Sequence, residues 1–176
     1  MRRPLALGLG AGLLALSSAA LAEDLPIRKA GLWEMKVVKA GSSVPEMTMQ
    51  HCTDQRTDKE MNNSVSPLAK QICSRQDVRK TATGFVSDSV CSVAGVSMTT
   101  HAEIVGDFNS RYTVTSTTHS DKGVTGKPLD ATTRIEAKWM GDCKPGQKPG
   151  DIVMPGGLKF NVKDADKLKN LLPQKK

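Results

Sequence analysis

The chain is 176 residues long, carries a formal net charge of +7 and contains three Phe, two Trp and one Tyr. A length of this order allows one ordinary domain with its own core. The scarcity of aromatic residues excludes an aromatic-lined cavity, so we expect any cavity to be lined mostly by Val, Ile, Leu, Met and Thr.

The first 22 residues have the layout of a secretory signal peptide. Arg2 and Arg3 precede an apolar run over 5–16, and the segment ends in Ala-Leu-Ala at Ala22. A basic start, a short apolar stretch and an Ala-x-Ala end are the three parts of such a peptide. We expect cleavage after Ala22, a periplasmic protein and no transmembrane anchor after cleavage. A membrane-spanning anchor is the alternative, but a span needs ~20 apolar residues.

Two strands begin the β domain that we predict for 23–143. Apolar and polar residues alternate over 27–39 and again over 44–52, which is typical of half-buried strands. The residues that share one face are Trp33, Met35 and Val37 in the first strand and Met47, Met49 and His51 in the second. The polar stretch 53–72 breaks this alternation, and we predict one short helical insertion there, with Pro67 at a first helical position.

The stretch 73–143 is predicted to contain most of the sheet. Alternating runs rich in Thr and Val are separated by turn residues such as Gly, and they cover 85–93, 96–105, 109–119 and 131–140. These connections are too short for crossover helices, so neighbouring strands should be antiparallel. The fold class we predict is all-β, a curved antiparallel meander of about seven or eight strands, half-barrel or barrel-like.

Four cysteines in an exported chain indicate two disulfides, for which three pairings exist. Cys73 and Cys91 have their midpoint at Ala82, within a candidate turn, so a hairpin would place them opposite each other. We therefore favour Cys73–Cys91 with Cys52–Cys143. A metal site built from cysteines is the alternative, but no two of them have C-x-x-C spacing.

The opening of the domain resembles a known family. Arg28, Gly31, Trp33 and Glu34 form an R-x-x-G-x-W-E motif similar to the opening of a bacterial exported family called domain of unknown function 3617. The four cysteines, with Gly-Asp before Cys143, are also similar to that family's pattern. The resemblance covers 27–143 and implies a small antiparallel β domain of the cell envelope. It implies no activity, because none is established for the family.

The composition changes after Cys143. Pro and Gly dominate 144–157 and predict a linker. Alternation at Leu158, Phe160 and Val162 indicates a last edge strand, and 164–172 is a candidate short helix with Asp164 at its N-cap. The region 144–176 holds eight Lys and three Asp, so this C-terminal basic tail is the source of the excess positive charge.

The tail is one candidate binding region. Its lysines could bind anionic envelope components such as lipid head groups, and those that we single out are Lys159, Lys163, Lys167 and Lys169. A solvated tail that keeps the protein soluble is the alternative. Nucleic acid is not expected as a partner, because export separates the chain from it.

A second candidate is a Cu(I) site formed by Met47, Met49 and His51, to which Met98 could add a third thioether. The alternative is that both methionines fill the core and that His51 lies at the rim. His101 and His119 could serve a hydrolase, but no G-x-S-x-G motif is present, and we favour exposed sheet positions for both. We read Trp33 and Trp139 as core residues.

The sequence therefore favours a non-enzymatic, exported cell-envelope protein without a cofactor. We expect its curved sheet to hold a small apolar ligand, because such a sheet can enclose one. Cu(I) handling and anion binding by the tail are the alternatives.

Overall fold

The computed structural model describes residues 24–40, 46–62, 72–93, 95–122, 126 and 128–164. Several predicted features lie outside these residues: the signal peptide, Pro67, and Lys167 and Lys169 of the tail. Within the described residues, no helix is both long enough and apolar enough to cross a bilayer.

Nine strands and one α-helix form the described part of the chain. They are β1 (Gly31–Lys39), β2 (Met47–Thr53), α1 (Gln55–Asn62), β3 (Cys73–Lys80), β4 (Gly84–Val93), β5 (Val96–Asp107), β6 (Arg111–Ser120), β7 (Leu129–Gly141), β8 (Asp151–Val153) and β9 (Lys159–Asn161). Two short 3₁₀ turns, Pro155–Gly157 and Val162–Asp164, flank β9.

All nine strands belong to one antiparallel sheet with the order β3-β4-β5-β6-β7-β1-β2-β8-β9. Consecutive strands from β3 to β7 are neighbours, and the chain's first strand, β1, lies between β7 and β2. The sheet is open, with β3 at one edge and β9 at the other. The all-β class and the antiparallel meander predicted from the sequence are confirmed.

The register gives the sheet an inner, mainly apolar face and an outer, charged face. On the inner face, Trp33 of β1 lies opposite His51 of β2 and Trp139 of β7. The next residues along β2, Met49 and Met47, follow on the same face. Positions between them, such as Glu34 opposite Lys138, belong to the outer face. The alternation in the sequence therefore predicted both faces correctly.

The core lies at one end of the inner face, which we call the plugged end. Its buried members are Trp33, Ile104, Tyr112 and Ala137, one from each of β1, β5, β6 and β7. Phe108, in the turn between β5 and β6, stacks on Tyr112 with 4.8 Å between ring centroids. Leu25 also packs against this cluster. The short β5–β6 turn thus contributes an aromatic side chain to a core that has few.

Gly31 allows β1 and β7 to approach closely at the plugged end. Its φ of +128° lies in the region that favours glycine, and a Cβ there would be 2.3 Å from the carbonyl oxygen of Gly141. A β-bulge follows at once, between Leu32 and Trp33. The lack of space for a side chain therefore explains why the R-x-x-G-x-W-E motif has glycine at position 31.

The region after Cys143 differs from the prediction of a linker. β8 pairs with β2, β9 pairs with β8, and the Gly150 N–H donates to the Cys52 carbonyl at 2.8 Å. Residues 144–164 therefore extend the same sheet. A three-residue strand between Gly and Pro has too short an alternation to be visible in the sequence, whereas the predicted edge strand around Phe160 corresponds to β9.

Candidate functional site

Both disulfides join the pairs that the sequence favoured, Cys52–Cys143 and Cys73–Cys91. Cys73 and Cys91 are direct partners in the β3–β4 register, as a hairpin around Ala82 requires. Cys52, in β2, and Cys143, just after β7, lie on either side of β1 in the sheet order. One bridge thus holds the edge strand β3, and the other spans the strand at the centre of the plugged end.

A buried ion pair closes the plugged end. Arg28 is 6% exposed and Asp58 of α1 is 0% exposed. The Asp58 carboxylate accepts hydrogen bonds from the Arg28 backbone N–H and from its Nε, both at 2.6 Å, and lies 2.5 Å from Arg28 Nη2. Asn62 Nδ2 donates a further bond at 3.2 Å. These contacts hold α1 and the segment before β1 over the inner face.

The Arg28 guanidinium also contacts the inner face of the sheet. Its Nη1 lies 3.4 Å from the Tyr112 hydroxyl, its Nη2 lies 3.1 Å from His51 Nδ1, and its centre lies 5.8 Å from the Trp33 ring. Arg28, the first residue of the R-x-x-G-x-W-E motif, therefore links α1 to the sheet. These contacts could not be predicted from local patterns, because Asp58 and His51 are far from Arg28 along the chain.

His51 lies in the interior, 1% exposed, so the alternative that placed it at the rim is wrong. An arginine has only hydrogen-bond donors, so Nδ1 of His51 must accept, and the imidazole proton sits on Nε2. Burial, and secondly the charge of Arg28, lower the pKa of His51 to about 4. The imidazole is therefore neutral at pH 7. Its Nε2 has no hydrogen-bond partner among the described residues.

This geometry weighs against the Cu(I) site. Met47, Met49 and His51 do share one face of β2, but a copper ion needs a free imidazole lone pair. Nδ1 faces Arg28 and Nε2 carries the proton, so His51 offers none at neutral pH. Across the described ranges, no group of three His, Cys, Asp or Glu could hold a metal ion. The Cu(I) site stays a prediction from the sequence.

Exposure of the inner face increases away from the plugged end. Trp33 and Ala137 are 0% exposed, whereas Met35 is half-buried and Leu129, at the far end of β7, is 47% exposed. Ser120 is an exception, buried at the far end of β6. The apolar strip is our name for the half-buried apolar side chains of the inner face outside the core cluster: Val37, Met47, Met49, Met98, Ala102 and Ile135. Ala102 lies opposite Ser116 and Met98 lies opposite Ser120, so polar side chains separate these two from the others.

His101 and His119 lie on the outer face, on the neighbouring strands β5 and β6. Their imidazoles contact the strands on either side of this pair, β4 and β7. His101 Nδ1 is 2.7 Å from Asp88 on β4, and His119 Nδ1 is 2.7 Å from Asp130 on β7. Both imidazoles are about half exposed. The hydrogen bond that His119 donates to the Asp130 carboxylate raises the pKa of His119. The two histidines do not form a joint site, and each makes a cross-strand pair with a carboxylate.

The tail lysines within the described residues, Lys159 and Lys163, lie beside the start of α1. Together with Arg56 and Lys148 they line a cleft of about 590 Å³. Arg56 and Lys148 were not singled out from the sequence. Lys148 is one of the eight tail lysines, whereas Arg56 lies outside the tail and only the fold brings it there.

The comparisons with known proteins give one match. The family model described as "Protein of unknown function (DUF3617)" matches residues 28–143, which begin at the buried Arg28 and end at the bridged Cys143. Neither the curated proteins nor the solved structures contain a match. Because the family model covers more than half of the chain, this protein belongs to the DUF3617 family.

Proposed function

We propose that this protein is an exported, non-enzymatic binding protein of the cell envelope, and that the apolar strip takes up an apolar chain such as a lipid acyl chain. The observation that carries the proposal is the change in burial along the inner face. One end of that face is sealed by α1 and the Arg28–Asp58 pair. Away from that end, the apolar side chains of the inner face are half-buried and lie next to Ser and Thr residues such as Ser116 and Thr133.

The side chains of the strip suit an acyl chain. Three of its six members are methionines, whose unbranched and polarizable side chains adapt to irregular apolar partners. Burying one methylene group contributes ~0.8 kcal/mol, so ten methylenes give a gross ~8 kcal/mol. Part of this burial free energy offsets the loss of translational and rotational entropy on association. We therefore expect dissociation constants larger than about 1 μM, the value that corresponds to a net ~8 kcal/mol.

Export is supported by the N-terminal sequence and by the two disulfides. Disulfides persist in oxidising compartments such as the periplasm and are rare in the cytosol. Fractionation of expressing cells, followed by intact-mass measurement, tests this part. We expect periplasmic protein that begins at Glu23 and is lighter by two hydrogens per disulfide. A full-length chain in the cytosol would refute export.

Titration with a fluorescent fatty acid tests binding at the strip. Met49→Glu places a carboxylate on the inner face, opposite Met35, and should weaken binding at least tenfold. The matched control is Thr48→Glu, which adds the same charge one residue away on the exposed outer face of β2 and should bind as wild type does. Met49→Leu keeps the apolar character and should retain binding.

Circular dichroism of each variant shows whether the sheet is intact. If Met49→Glu is folded and binds the fatty acid like wild type, the strip is not the binding surface. If the wild type binds no acyl chain, and protein purified from the periplasm carries no lipid in native mass spectrometry, the proposed function fails.

A further inference from the structure

The basic cleft is built from three separate segments. Arg56 comes from the first turn of α1, Lys148 from the loop before β8, and Lys159 and Lys163 from the end of the sheet. We call these four residues the cationic cluster. Three carboxylates, of Asp54, Asp151 and Asp164, also line the cleft.

All three carboxylates are engaged within the protein, and the contacts of Asp54 and Asp151 are as follows. Asp54 Oδ1 accepts the Thr57 backbone N–H at 2.7 Å and so caps α1. Asp151, 5% exposed, accepts the Lys148 backbone N–H at 2.9 Å and the Asn161 side-chain N–H at 2.8 Å. The hydrogen bond with Thr57 and, more weakly, the charges of Arg56 and Lys163 lower the pKa of Asp54.

The positions of the cluster are fixed by this network. Lys159 Nζ lies 3.5 Å from Asp151 Oδ2 and donates to the Gly146 carbonyl at 3.2 Å. Asn161, held by Asp151, accepts the Lys163 backbone N–H at 3.0 Å. By contrast, the side chains of Arg56, Lys148 and Lys163 have no ionic partner within the part of the chain that the structure describes. Four cations and three carboxylates therefore line the cleft, which leaves one excess positive charge there.

We propose that this cleft binds the phosphoryl group of an organic phosphate. A phosphate monoester carries nearly two negative charges and three acceptor oxygens, which match a planar guanidinium and ammonium groups from different directions. A volume of about 590 Å³ exceeds that of a phosphoryl group and leaves room for the sugar or head group attached to it. The site is separate from the apolar strip and does not depend on it.

The tail continues beyond the cleft with a basic sequence. Residues 165–176, which follow its last lining residue, contain four further lysines and one aspartate. The cations of the cleft attract an anion over a distance of about a Debye length, ~8 Å in physiological salt. Binding should therefore weaken as salt concentration rises.

Calorimetric titration of the full oxidised protein tests the proposal. The soluble probe is glucose 1-phosphate, with glucose as its neutral control. The lipid probe is phosphatidylcholine vesicles containing phosphatidic acid, with pure phosphatidylcholine as control. The double variant R56Q/K163Q should weaken binding of the phosphorylated probe at least tenfold. Variant-sensitive binding of glucose 1-phosphate indicates a soluble ligand, and binding of the vesicles alone indicates a lipid head group.

A matched control variant distinguishes binding at the cleft from nonspecific attraction of an anion by positive charges elsewhere on the protein. R111Q/K138Q removes the same two charges from the outer face of β6 and β7, on the other side of β1 and β2, and should change affinity less than threefold. K167Q/K169Q should have an intermediate effect that disappears at high salt. Equal losses in R56Q/K163Q and R111Q/K138Q, or no phosphate-dependent binding by folded wild-type protein, would overturn the proposal.

Discussion

Replacing Asp58 by alanine removes the acceptor of the buried ion pair at the plugged end. Arg28 then stays 6% exposed with its charge uncompensated, and only the hydroxyl of Tyr112 at 3.4 Å and the Nδ1 of His51 at 3.1 Å remain as acceptors for its side chain. Its backbone N–H, which donates to Asp58 at 2.6 Å, also loses its acceptor.

The expected loss is large relative to the stability of a small domain. Removing one partner of a buried ion pair costs about 3–5 kcal/mol, out of a total of about 5–15 kcal/mol. For a chain of this size, 1 kcal/mol shifts the melting temperature by about 2–4 °C, so Asp58→Ala should melt roughly 6–20 °C lower. The double variant Arg28→Met/Asp58→Leu should lose less than Asp58→Ala, because it leaves no buried charge.

Urea and thermal denaturation of the oxidised protein, followed by circular dichroism, measure this effect. Glu46→Ala is the matched control, because it breaks the pair with Lys36, whose members are 44% and 54% exposed. Exposed pairs contribute little, so this variant should melt close to wild type. A loss below about 1 kcal/mol for Asp58→Ala would refute the reasoning, since an uncompensated buried charge cannot cost so little.

Three further predictions follow from the fold. The pKa of His51 is about 4 in the native state and near 6.5 in the unfolded state. Its contribution to the free energy of unfolding is therefore complete above pH 6.5 and falls by about 3 kcal/mol as the pH decreases to 4; urea denaturation across this pH range measures the loss. Gly31→Ala should cost more than the ~1–3 kcal/mol of backbone strain alone, because its Cβ would collide with Gly141, and urea denaturation measures the loss. Replacing both Cys52 and Cys143 by serine opens a loop with a sequence separation of 91 residues and should cost about 4–5 kcal/mol by the same assay.

Each of these predictions has a control within the chain. His51→Gln should flatten the dependence of stability on pH between 4 and 6.5, whereas His119→Gln should not, because Asp130 raises rather than lowers the pKa of His119. Gly95→Ala tests positive φ without a collision, since nothing lies within 4 Å of its Cβ position, and should cost less than Gly31→Ala. Opening Cys73–Cys91, with a separation of 18, should cost less than opening the longer loop.

The sheet could be predicted from the sequence because strand periodicity is local. Alternation over 96–105 is enough to assign Ile104 to the interior and Glu103 to solvent, and both assignments hold in the structure. The Cys73–Cys91 pairing was predictable for the same reason, since a hairpin links residues that are symmetric about its turn.

The sites depend on contacts that local patterns do not contain. Arg28 meets Asp58 across 30 positions of the chain, and nothing in either neighbourhood marks the pair. Arg56 and Lys148 reach the same cleft only because β8 pairs with β2 and brings the tail beside α1. The β2–β8 pairing cannot be predicted from the sequence, since a three-residue strand between Gly and Pro has too little alternation to be recognised.

The place of β1 in the sheet has a consequence for how the chain reaches its native state. β1 can pair with β2 as soon as both are synthesised, but its other neighbour, β7, is made only after the whole meander. Pairings this distant are slow to form, so the sheet stays incomplete until late. If the chain is exported as proposed, such delay is an advantage, because a domain that folds slowly is less able to block its own passage through a secretion channel. The β3–β4 bridge can oxidise early, whereas Cys52 must wait for Cys143 to emerge.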